Sequence, residues 1–149
     1  LIGRKFNIND GLIINQYLDE IDKFLNDNKN NTRIQKFIKL FEPSYCDLKD
    51  CVNFIKKIDL KNSQEINSHA VDFLNIFALV AVGYTWLEFI NISLIKTKEN
   101  QDDFYLSKIQ LGDFYLTKLI FETQKFKNNI YSSGKLYNEF KDNYFESGI

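Results

Sequence analysis

Apolar positions along this chain recur at spacings of three and four, and no stretch sustains the alternation of a strand, so the pattern predicts helices throughout. Ile14, Leu18, Ile21 and Leu25, flanked by Ile13, Tyr17 and Phe24, form the stripe of a first helix over about residues 10–28. Residues 7–11 supply the turn before it. After an Asn-rich loop at 28–31, Thr32 and Gln35 stand at the spacing of a capping box, and a helix follows through Ile34, Phe37, Ile38 and Phe41. Pro43 lacks an N–H and clashes with the preceding turn, which predicts a kink or tight break there. Ser44 and Asp47 then read as a restart, opening a helix that carries Leu48, Cys51, Val52, Ile55 and Ile58 to about residue 59.

A third segment, about 63–98, opens on Asn62 and Glu65 and is the most apolar. Between Phe73 and Val82 only Asn75 is polar, the composition of a helix that is either central in a core or within a membrane. Asp72, Asn75, Thr85, Glu88 and Asn91 interrupt the run, which favours a central core helix. Ala78, Ala81 and Gly83 would let neighbours approach, with Trp86 filling volume nearby. Residues 100–103 begin a fourth helix, with acids where a helix N-terminus favours them. It runs to about Ile130 with Tyr105, Ile109, Gly112, Leu116 and Ile120 as its stripe, widened by Phe104, Leu111, Tyr115 and Leu119. Ser132, Ser133 and Gly134 read as its stop, and a short tail helix is expected near 136–140. The sum is all-α: an antiparallel bundle of four main helices with a break near Pro43 and a short C-terminal tail helix.

Composition supports a packed bundle and narrows the partners. With 149 residues, 44% hydrophobic, and 14 Phe and 8 Tyr among them, one domain can bury a core without disulfide or metal. Net charge is −1, from 19 basic and 20 acidic residues spread without blocks, so nucleic acid and an anionic membrane are not expected partners. Cys46 and Cys51 have neither a redox nor a zinc-ligand spacing and fall on different faces of one helix, so both are expected as reduced core thiols in a cytoplasmic protein. The chain starts at Leu1 and contains no methionine, which leads us to expect further coding sequence upstream.

Candidate chemistry is thin. His69 is the only histidine, so Ser-His, Cys-His and His-based metal arrangements cannot be built around more than one ring, and a partly exposed place at a helix start is expected for it. No Gly-rich phosphate loop of known kind is present. Asp19, Glu20 and Asp22 fall on the wet face of the first helix, and Asp102 and Asp103 fit a helix start. Glu88, alone in an apolar stretch, is the one acid whose burial would make it a proton donor or acceptor; an exposed or lysine-paired edge position is the plainer reading. No catalytic, cofactor-binding or metal-ligating residue is assigned.

Three segments together resemble a known family. Leu1-Ile2-Gly3-Arg4-Lys5 followed by Asp10-Gly11 is similar to the D-L-[VI]-G-R-K-L…D-G-G stretch of a branch of acyl-CoA dehydrogenases. The run from Ala70 to Trp86 is similar to the A-x-x-Y-L-x-L-F-G-x-V-A-G-G-W-x-W pattern of that branch's extra C-terminal domain, with Ala78 where Gly is common and Tyr84 in place of the first Trp-region pattern. Phe104-Tyr105-x-x-Lys108 and Phe114-Tyr115-x-x-x-Leu119 resemble that domain's paired Phe-Tyr motifs. The Lys-, Asn- and Ile-rich dialect resembles that of an AT-rich bacterial genome.

The resemblance implies a parent enzyme that oxidises an acyl-CoA to the 2,3-enoyl-CoA, a glutamate removing the α-proton and FAD taking the hydride. In the family that glutamate lies in a Y-E-G-T-x-G-I-Q-like segment, which would end just before Leu1, so neither base nor flavin pocket carries over to any residue here. Residues 1–9 then correspond to the end of the catalytic helical region or a linker, and 10–149 to the C-terminal helical domain of the long-chain or 3-methylmercaptopropionyl-CoA dehydrogenase-like branch. Its implied partners are the upstream catalytic domains and further subunits of a homo-oligomer. A free-standing helical interaction module without catalytic activity is the alternative.

Overall fold

The computed structural model describes residues 12–58, 67–98 and 102–139, all within or beside helices. The expected boundary near residue 10, the helix opening at 62–65 and the end of the tail lie outside the described residues. Helix α1 spans Leu12–Asp27, α2 Gln35–Ile55, α3 Ala70–Lys96, α4 Asp103–Phe114 and α5 Thr123–Glu139. A π-helical turn (Tyr115–Leu119) and a 3₁₀ turn (Ile120–Glu122) join α4 to α5, so the two form one long helical rod. The result is an all-α bundle of four rods, as the pattern predicts, with no strand among the described residues.

The bundle is organised around α3, which packs against α2, α4 and α5. Phe73, Ile76, Val80, Leu87 and Ile90 of α3 meet Phe37, Phe41, Leu48 and Val52 of α2 and Leu116, Ile120 and Ile130 of the last rod in one buried cluster. Close approach is possible where α3 and the last rod exchange glycines. A Cβ on Gly83 would lie 2.6 Å from Ile120 Cδ1 and 3.2 Å from the Phe41 ring, and one on Gly112 2.6 Å from Ile90 Cδ1. Of the three small residues expected to do this, Gly83 does, while Ala78 is exposed and Ala81 half-buried. Trp86 is also only half-buried, set edge-on to Phe89 at 5.9 Å and beside Gly112.

Helix α1 keeps its backbone farther from its neighbours and is attached through long side chains. The Tyr45 hydroxyl donates to the Leu18 carbonyl at 2.8 Å, and the rings of Tyr17 and Phe24 lie 6.2 and 5.5 Å from that of Tyr84. Ile21 is fully buried beneath this aromatic layer, whereas Ile13 is exposed.

Three expectations are corrected. Helix α2 runs without interruption through Pro43. The proline deprives the Lys39 carbonyl of its helical donor, but Pro43 and Lys39 both sit on the exposed face, where water can serve that carbonyl. Ser44 and Asp47 are therefore mid-helix, and Thr32 does not cap: α2 begins after Ile34 with no side-chain cap. Gln35 instead closes the preceding loop, donating to the Asn28 and Lys29 carbonyls at 2.9 and 3.0 Å. Finally, α5 continues through Gly134 to Glu139, with no separate tail helix among the described residues; an interior glycine costs a helix only about 1 kcal/mol. The start of α4 is where the acids place it, Asp102 accepting from the Phe104 N–H at 2.9 Å.

Candidate functional site

The junction between α4 and α5 departs from α-helical geometry within a continuous rod, and two kinds of site meet there. In the π turn the Ile120 N–H reaches back five residues to the Tyr115 carbonyl, inserting one residue into the helix. This loosens the local ladder, and hydrogen bonds tie the turn to the neighbouring helices in both directions. The Ser44 hydroxyl of α2 donates to the Ile120 carbonyl at 3.2 Å, and the Tyr115 hydroxyl donates across to the Leu79 carbonyl of α3 at 2.9 Å.

On the α2 side lies a buried polar seam. The Thr123 hydroxyl shares its proton between Ser44 Oγ at 3.0 Å and Asp47 Oδ2 at 3.2 Å. Lys127 donates to Asp47 Oδ1 at 3.0 Å and to Asp50 Oδ2 at 2.6 Å. Burial alone would lower the Lys127 pKa, but the hydrogen bonds and charges of Asp50 and Asp47 outweigh it and hold the ammonium above its ordinary range. Beneath the seam, burial pushes the Cys51 thiol up to about 12, with Lys127 opposing and Asp47 and Asp50 adding to the rise. Within the arrangement the polar groups satisfy one another. Cys46 is exposed instead, because the two thiols lie on different faces of α2, so only one of the expected core thiols is in the core.

On the α3 side lies an open groove of about 380 Å3, lined by Asn75, Ala78, Val82, Tyr115, Glu122 and Phe126. Burial pushes the Tyr115 hydroxyl up to about 12. Asn75 and Glu122 are the polar groups at its walls and the remainder is apolar, so the groove fits an apolar side chain better than a charged substrate. It opens onto the outer surface of α3.

Residues singled out from sequence are dispersed. Glu88 is half-buried between aromatic residues of α1 and α3. Its charge is felt at Tyr84, whose hydroxyl is pushed up to about 12 by burial, then by Glu88 and Glu20. Tyr17 is raised to about 12 in the same way, by burial, then Glu20 and Glu88. Glu88 thus belongs to the joint between α1 and α3 and is not among the residues that line the groove. His69 is fully buried at the start of α3, with the Phe54 ring edge-on at 5.9 Å, correcting the partly exposed position expected. Burial here follows from Phe54 of α2 folding across the helix end, which period alone does not reveal. Asp19 and Glu20 are exposed on α1 and Asp22 pairs with Lys49 at 3.3 Å. Among the described residues, no three His, Cys, Asp or Glu side chains gather as a metal site. Of the aromatic motif on the last rod, Phe104 and Phe114 point outward, each 57% exposed, while Tyr105 and Tyr115 are half-buried.

Sequence reading missed the seam and the π turn. The steps from Gly112 to Leu116, Ile120 and Thr123 are compatible with an ordinary helix, and Ser44 and Asp47 matched the signal for a helix start. The available hint was Thr123 and Lys127, polar residues one turn apart in line with that apolar stripe.

Helix α3 is long and apolar enough to cross a membrane by length and composition, the test a core helix also passes. Its inner face is filled by the bundle core. The described residues thus define an all-helical domain whose open features are apolar and whose polar cluster is internal. The chain belongs to the family described as acetyl-CoA dehydrogenase C-terminal like, matching it over residues 17–139. No curated protein and no solved structure matches it.

Proposed function

We propose that this chain is the C-terminal helical domain of an FAD-dependent acyl-CoA dehydrogenase of the long-chain or 3-methylmercaptopropionyl-CoA-like branch, acting as architecture in a cytoplasmic, homo-oligomeric bacterial flavoenzyme of fatty acid metabolism. The observation that carries the reading is the family match over residues 17–139. The geometry agrees with a supporting role. The polar cluster best placed for proton chemistry, around Asp47 and Lys127, is consumed in holding α2 to α5.

In this reading the base that abstracts the α-proton and the flavin that takes the hydride lie in upstream catalytic domains, and the fragment itself packs on those domains or at a subunit contact. The outward Phe104 and Phe114 of α4 offer an apolar surface for the former. The test is the DNA upstream of Leu1. Several hundred in-frame codons ending in a Tyr-Glu-Gly-Thr-like segment are expected. A start codon within a few residues of Leu1 would instead make this a free-standing helical interaction module.

A further inference from the structure

A surface helix in a soluble bundle turns a polar face to water. The outer face of α3 does the opposite. Val71, Leu74, Ala78, Val82, Thr85, Phe89 and Ile92 follow one another at steps of three and four, every one of them exposed and none of them charged. Val71 is 70% exposed, Leu74, Val82 and Phe89 each close to half, and Ile92 53%. Even Thr85 spends its hydroxyl on its own helix, donating to the Ala81 carbonyl at 3.0 Å. Steps averaging three and a half residues are those of a helix seam that meets another helix at a shallow angle.

We propose that a second copy of this chain covers this face, its α3 lying antiparallel to the first across a two-fold axis between Val82 and Thr85. Three features select that occupant and that direction. Setting Val82 against the partner's Thr85 brings Ala78 opposite the partner's Phe89, so the largest side chain of the stripe meets its smallest, beside the groove that Ala78 and Val82 help line. Because the axis is two-fold, the same fit is made twice. A parallel pairing would oppose Phe89 to itself and leave the groove vacant. Antiparallel pairing also sets the acidic first turn of α3, where half-buried Asp72 accepts from Asn129 of its own chain at 3.1 Å, towards the basic last turn of the partner, where a parallel pair would set like charges together. The stripe exposes on the order of 600 Å2 of mostly apolar surface per copy, approaching the ~800 Å2 per partner of a standard interface.

The inference deepens the subunit-contact role proposed above, and it is tested without flavin or acyl-CoA so that the two can fail separately. Analytical ultracentrifugation of the 149-residue chain over about 1–100 µM is expected to show a reversible dimer. Val82→Glu and Phe89→Asp should each weaken it at least about tenfold while leaving the helical circular dichroism unchanged, and Phe114→Asp on α4 should leave it intact. Ala78→Phe should weaken it by filling the site of the partner's Phe89, and adding Phe89→Ala to that variant should restore it. A monomer throughout this range overturns the proposal. So does a dimer indifferent to Val82→Glu and Phe89→Asp, a size swap that fails to restore pairing, or a wild-type chain that stays monomeric and floats with zwitterionic lipid vesicles.

Discussion

The seam between α2 and α5 and the outer face of α3 reverse each other's chemistry. In the seam, a threonine, a serine, an aspartate and a lysine occupy interior positions where a bundle ordinarily places leucine. On the outer face, valine, leucine and phenylalanine occupy positions where it ordinarily places lysine and glutamate. The seam can be polar because its groups satisfy one another and the carbonyl of the irregular turn at Ile120. No such internal account exists for the outer face, where apolar side chains meet water on a helix whose opposite side is packed. The first departure from amphipathic patterning is explained within one chain, and the second points beyond it.

The deepest cut into the inner side of α3 should come from Phe41→Ala, which removes the ring lying against Gly83. A loss of about 3–5 kcal/mol in urea unfolding is expected. Asp47→Ala should follow, at about 1–3 kcal/mol, since it leaves Thr123 and Lys127 without a shared acceptor in a largely buried seam. A change near zero would mean the seam is dispensable and would remove one half of the comparison. Trp86→Ala, from the flank between the two faces, is expected to cost about 1–2 kcal/mol, because a half-buried indole forfeits only part of its transfer energy. A cost of about 4 kcal/mol would place it with the full-core residues.

Alkaline pH should weaken the interior, the seam among it. The raised hydroxyls of Tyr17, Tyr84 and Tyr115 carry the same sign as the seam's groups, so only a seam variant separates its share. The folded state holds the Cys51 proton to a pKa of about 12, against 9.0 for the free thiol, so the native form binds more protons in that interval. The contribution is complete below pH 9 and is lost as pH rises from 9 towards 12. Lys127, also raised, has the same sign: its contribution is complete below 10.5 and declines above it. Thermal midpoints should be level from about pH 7 to 8.5 and fall beyond it, and Cys51→Ala should reduce that slope. Val82→Glu on the outer face should have the smallest effect on the monomer, within about 0.5 kcal/mol. A larger loss would show that this face is part of the fold and not a surface awaiting a partner.

What the sequence could disclose follows the same division. The α1 stripe through Ile21, the opening of α4 at Asp102 and the four-rod count were legible, because each rests on local spacing or a local cap. Pro43 was not, since its tolerance depends on whether the Lys39 carbonyl faces water, a property of the packed bundle. Ser44 and Asp47 carried the right residues in the right spacing for a cap but are spent sideways on α5. Helix α3, apolar almost all round, was legible as central but gave no phase, so which of its faces would be left uncovered was hidden. The groove shared that fate, because it exists only where the π turn brings Tyr115 and Glu122 beside Ala78 and Val82.

The proposed function has these residues supply architecture while the reaction belongs to the rest of a flavoenzyme. It is tested most directly by purifying residues 1–149 alongside the product of the whole gene, then recording flavin absorbance and acyl-CoA-dependent reduction of an electron acceptor for each. The account predicts both signals from the longer protein and neither from the 149-residue chain. Stoichiometric FAD and acyl-CoA turnover in the shorter chain would contradict it.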